Sequence, residues 1–97
     1  MGIINSGNSS IDIKTTMAKD VKVVHKKLGR SRAFGLAFQD YNEIHIDSRL
    51  TKKDYLTIVV HELLHIYFKD LPEEDVVDIS TKMSDNLWKL NFRKVDQ

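Results

Sequence analysis

From Tyr55 to Phe68 the chain is apolar on nearly every side of a helical wheel, yet His61, Glu62 and His65 stand within it. A segment of this length and pattern predicts a helix, and a helix apolar nearly all round is a covered helix. Thr51 is its expected N-cap, with Asp54 three residues on as an imperfect capping-box partner. The sequence "DLP" ends it. Pro72 then opens a second helix, with Asp70 as a candidate cap and Glu73 three residues later. Val76, Val77, Ile79, Met83, Leu87, Trp88 and Leu90 set a wide apolar stripe along that helix.

Upstream the periods are shorter. "AFGLAFQDYNEIHID" reads as a β-hairpin: Phe34, Leu36 and Phe38 alternate before the turn "QDYN", and Ile44 and Ile46 alternate after it. With Ile44 and Ile46 facing the core, His45 points the other way. Met17, Val21, Val24 and Leu28 stand at helical spacing, with Lys26 and Lys27 in the last turn and Gly29 as a stop signal; the valines there argue for a strand. Ile11 and Ile13 alternate as in a short strand. The expected architecture is α+β in the order β-α-β-β-α-α. A short antiparallel sheet packs on the central helix, and a C-terminal helix carries a glutamate cluster.

Ninety-seven residues make one domain, expected over residues 11–97 after a loose Gly-, Asn- and Ser-rich lead-in at 1–10. Apolar residues are 41% and charged residues 30% of the chain, the balance of a folded soluble protein. The net charge of +1 leaves no broad field to bind nucleic acid through phosphates. No apolar run reaches the roughly 18 residues that span a bilayer, so no membrane partner is expected. There is no cysteine, hence no disulfide, thiolate ligand or thiol nucleophile. A cytoplasmic location is the expectation. Any metal site must be built from His, Asp and Glu.

His61 and His65 are four residues apart, so on a helix their imidazoles lie one above the other and can converge on one point. Two nitrogens so placed suit a first-row divalent ion bound at about 2.0–2.1 Å. Glu62 can reach a water on that ion without being a ligand. This is the His-Glu-x-x-His pattern of zinc peptidases. It makes Zn2+ the expected cofactor, Glu62 the expected general base and a peptide or protein the expected substrate. The bland alternative is a pair of core histidines beside a capping or surface glutamate, and three buried polar groups without common purpose are expensive.

A third ligand is needed. No histidine follows His65, and His25 and His45 are the histidines upstream. The acidic cluster Glu73, Glu74, Asp75 and Asp78 opens the next helix after a tight connection. Glu73 precedes Val76 by three and Val77 by four, which puts it on the apolar face; Glu74 is the alternative. Acids in a first turn also serve the helix dipole. His45 and Tyr67 are further candidates for contact with substrate or with a developing oxyanion. Tyr41 and Tyr55 are read as packing residues, and His25 as a surface residue.

The stretches "EIHID", "HELLHIYF", "DLPEEDVV" and "NLWKL", over residues 40 to 93, resemble the gluzincin-type zinc metallopeptidases. The short chain looks most like the minigluzincins and small phage or prophage metallopeptidase-like proteins. The resemblance implies a zincin-like fold with zinc held by His61, His65 and a downstream glutamate, and with Glu62 as base. It implies that the strand from Ile44 to Asp47 forms the cleft edge to which a peptide adds. One departure is that Glu73 follows His65 by only eight residues, where larger gluzincins place the glutamate farther along. A related group, peptidases that cleave phage-type repressors, shares the strand–helix layout. The rival expectation is a non-catalytic metal-binding or peptide-binding interaction protein of the same descent, with phage-encoded origin as part of that reading.

Overall fold

The computed structural model describes residues 20–29 and 34–95. The strand read at Ile11 and Ile13, the lead-in at 1–10 and the start of the helix read from Met17 lie outside them. Three strands and two helices follow in order: β1 (Lys22–Lys26), β2 (Gly35–Phe38), β3 (Glu43–Asp47), α1 (Lys52–Tyr67) and α2 (Glu73–Lys89). The protein is thus a small α+β domain with a three-stranded sheet and two helices.

The segment expected as a helix through Leu28 is a strand instead. Val23 and Val24 are β-branched and favour extended backbone, and β3 offers them a partner. β1 pairs with β3 in parallel, Val24 opposite His45 and Lys26 opposite Asp47. Gly29 ends this stretch in the left-handed region, at φ 56°.

The hairpin forms as expected, with β2 antiparallel to β3 and Leu36 opposite His45. The sheet order is β1-β3-β2, so the sheet is mixed rather than antiparallel, and β3 is its central strand. Ile44 and Ile46 are fully buried on the face turned to α1. Ala37 packs with them from β2, while Phe34 is 58% exposed. The small residues of β2 face the helix because α1 lies too close to the strand for large ones.

Helix α1 is the middle layer. Tyr55, Ile58, Val59, Leu63 and Ile66 pack on the sheet with Ile44 and Ile46. Leu56, Val60 and Leu64 pack on α2 with Val76, Ile79 and Leu87. Burial on two sides explains why the α1 sequence is apolar almost all round. The last turn emerges from cover, leaving Tyr67 and Phe68 more than half exposed. Thr51 stands at the N-cap position in extended backbone, but its hydroxyl makes no capping hydrogen bond. Pro72, not Asp70, is the N-cap of α2, and its carbonyl accepts from the amides of Asp75 and Val76 at 3.0 Å.

The inner face of α2 differs from the expected stripe. Val76, Ser80 and Ser84 are its fully buried residues, whereas Val77, Met83 and Leu90 are largely exposed. The two serines let the helices approach closely. Ser80 Oγ donates to the Val77 carbonyl, and Thr57 Oγ1 donates to Ser84 Oγ at 2.9 Å, so the hydroxyls are paired rather than stranded. At the far end of β3, buried Asp47 accepts from Arg49 Nε at 2.9 Å and from an Arg49 terminal nitrogen at 2.6 Å. It also accepts from the Arg49 backbone amide at 2.9 Å. This cluster fixes the turn that leaves β3. No described helix is long and apolar enough to cross a membrane.

Candidate metal centre

Helical phase places the site. At about 100° per residue, the sheet-facing and α2-facing sectors of α1 leave a seam between them. His61 and His65 fall in that seam, about 40° apart, so they are neither packed away nor free in solvent. Their exposures are 18% and 24%. Glu62 is turned about 100° from His61, towards β2, and is only 7% exposed.

Glu73 starts α2 at the mouth of the same seam. Its carboxylate spans both imidazoles: Oε2 lies 3.2 Å from His61 Nε2, and Oε1 lies 2.9 Å from His65 Nε2. The rings of His61 and His65 are 5.0 Å apart at 64°, edge to face rather than stacked. One donor atom from each of the three residues lies within 4.8 Å of the others. Ligands at about 2.1 Å around a tetrahedral ion are separated by roughly 3.4 Å. The imidazole-to-carboxylate distances are somewhat shorter than that, and the three residues form a group that could hold a metal ion. Glu74, also in the first turn of α2, is exposed and outside this group.

Burial holds the His61 imidazole below its ordinary pKa, and the neighbouring His65 adds to this, against the opposing charge of Glu73. The neutral form thereby favoured is the form that binds metal. Burial, reinforced by the negative charge of Glu73, pushes the Glu62 carboxyl up to about 7. A cation near it would favour the ionised carboxylate.

The residues line an open cleft of about 350 Å³ bounded by Gly35, Leu36, Ala37 and Gln39 on one side and by His61, Glu62, His65 and Glu73 on the other. The cleft edge is therefore β2. The strand from Ile44 to Asp47, expected to form it, is hydrogen-bonded on both sides and has no free edge to offer. Gly35 and Gln39 were not anticipated. The signal for them is the alternation of small residues, Gly35 and Ala37, on the hairpin side that meets the helix. Gln39 Nε2 donates to the His65 carbonyl at 2.6 Å and so pins the hairpin turn to the helix.

His45 and Tyr67 do not line this cleft. His45 lies on the opposite face of the sheet from Ile44 and Ile46, with Nε2 2.5 Å from Glu43 Oε2 and its ring against Phe38. Tyr67 has turned past the seam and is 52% exposed. Tyr41 stacks on Phe38, and Tyr55 shares a 2.7 Å hydrogen bond with His25 Nε2.

Set against known proteins, the chain matches no family model, no curated protein and no solved structure. The geometry alone therefore defines the class: a small α+β domain whose His61, His65 and Glu73 can together hold a metal ion.

Proposed function

We propose that this protein is a zinc-dependent metallopeptidase of zincin-like type that hydrolyses a peptide bond in the cleft between β2 and α1. The observation that carries this reading is Glu62. Among the described residues it has no hydrogen-bond partner, yet it is buried beside three converging ligand side chains. A buried acid without a partner is costly for folding alone, and a perturbed acid in a cleft is the mark of a group kept for chemistry.

His61, His65 and Glu73 would hold the ion. Zinc so bound supplies Lewis acidity and a water of lowered pKa. Glu62 takes the proton of the attacking water and returns it to the leaving amine nitrogen, so the reaction closes with no net proton change on the protein. Three protein ligands, rather than four, leave a position for substrate.

The strand β2 accounts for how a peptide would lie. The amide of Asp47 donates to the Phe34 carbonyl at 2.9 Å. Antiparallel ladders alternate, so the backbone groups of Gly35 and Ala37 point away from β3 towards the cleft. An extended peptide can pair with them as an added strand. The test is zinc content and hydrolysis together. Purified protein should carry about one zinc per chain, and Glu62→Gln should keep the metal while losing turnover. A protein that takes up no zinc would end this reading.

A further inference from the structure

Gly35 faces the turn of α1 that carries Glu62. A methyl group built on Gly35 would lie 2.7 Å from Ile58 Cγ2, 2.8 Å from Glu62 Cγ and 2.8 Å from Glu62 Oε2. Carbon atoms in good contact stand about 3.5–4.0 Å apart, so none of these contacts is tolerable as it stands. Gly35 does not adopt the left-handed backbone that Gly29 does. Space, not conformational freedom, is what requires glycine here.

We infer that Gly35 is a positioning residue for Glu62: its missing side chain lets β2 lie against the carboxylate and confine it to the cleft beside His61 and His65. The inference rests on the metallopeptidase reading for its meaning, though not for its geometry. Glu62 has three rotatable bonds and, among the described residues, no hydrogen bond to direct it, so packing sets its aim. The strand is held on both sides of Gly35. The Phe34 carbonyl accepts from the Asp47 amide of β3 at 2.9 Å, and Gln39 ties the end of the hairpin to the His65 carbonyl at 2.6 Å. The party free to move is the glutamate side chain.

The test compares Gly35→Ala with the double variant Gly35→Ala/Ile58→Ala, which removes the Ile58 methyl and leaves the collision with Glu62. Each is measured for zinc affinity by competition with a chromophoric chelator, for kcat and KM on a peptide, and for the δ-carbon NMR resonance of Glu62 in metal-free protein. The expected result is unchanged zinc affinity, a shifted Glu62 resonance and a kcat lower by about 10²-fold with KM little altered, the scale of a 1 Å misplacement. The double variant regains stability but not kcat. Adding Gly35→Ala to Glu62→Gln lowers turnover no further, because both act through one carboxylate. An unmoved Glu62 resonance with full kcat in Gly35→Ala, or full kcat restored by Ile58→Ala, would overturn the inference. Should the parent protein bind no zinc, the metallopeptidase reading fails. The Glu62 resonance still decides whether Gly35 places that side chain.

Discussion

His65 and Glu73 belong to different helices, and the 2.9 Å between His65 Nε2 and Glu73 Oε1 links those helices at the cleft. Only the short connection from Phe68 to Pro72 separates the two elements, and the Leu71 amide closes it by donating to the Phe68 carbonyl at 3.0 Å. The tight turn brings the first residue of α2 back to the seam of α1 that holds the imidazoles.

Metal affinity should follow that geometry. If His65 and Glu73 are zinc ligands as proposed, His65→Ala and Glu73→Ala should each weaken zinc binding by at least about 100-fold, the loss of a ligand rather than of a supporting contact. Glu74→Ala should leave affinity unchanged. Equal losses for Glu73→Ala and Glu74→Ala in a chelator competition titration would remove Glu73 from the ligand set.

Glu62→Gln should retain the bound metal and lower kcat by about 10²- to 10⁴-fold, the range lost with a general base. Stopped assays of peptide cleavage beside metal analysis of the same sample would decide it. Turnover equal to the parent's would assign the proton transfer elsewhere.

The helix interface should be intolerant of volume. Ser84 is fully buried and paired with Thr57. Ser84→Ala should cost about 1 kcal/mol through the lost hydrogen bond. Ser84→Leu should cost about 1–3 kcal/mol by prising α1 from α2, and should also weaken zinc binding, because Glu73 rides on α2. Urea denaturation of the metal-free protein gives the first pair of values. A neutral Ser84→Leu would mean that the helices are not in close contact there.

Acid should unfold the protein partly through Asp47. The Arg49 side chain, its backbone amide and the Leu28 amide hold the Asp47 carboxyl well below the usual carboxylate range. Between its folded value and its unfolded value near 3.9, the unfolded chain binds more protons. The stabilisation from this cluster is therefore complete above about pH 4–5 and is lost as pH falls below it. Asp47→Asn should lower the urea midpoint at pH 7 and narrow the gap between pH 7 and pH 3. An unchanged gap would show that Asp47 does not govern the acid limb.

Much of this was readable along the chain because it is local. Residues four apart on a helix share a face whatever surrounds them, so helical geometry pairs His61 with His65 independently of packing. Pro72 and the acidic first turn marked the second helix in the same way, and alternation marked the hairpin. Helical phase and a tight connection single out Glu73, and it stands beside both imidazoles; of the two valines that set the phase, Val76 is buried and Val77 is exposed.

What failed to show in the chain depends on partners distant in sequence. The segment around Val23 and Val24 suits either a helix or a strand, and only the open side of β3 settles it as a strand. Which strand borders the cleft is a matter of sheet order, and no local pattern records that β3 lies between β1 and β2. The serines on the inner face of α2 look polar and therefore outward until a second helix is laid against them. Gly35 is only a gap in the alternation of Phe34, Leu36 and Phe38 until Glu62 is found where its side chain would have been. Periodicity is a property of one element, whereas proximity between elements is set by how their shapes and unpaired groups are jointly satisfied.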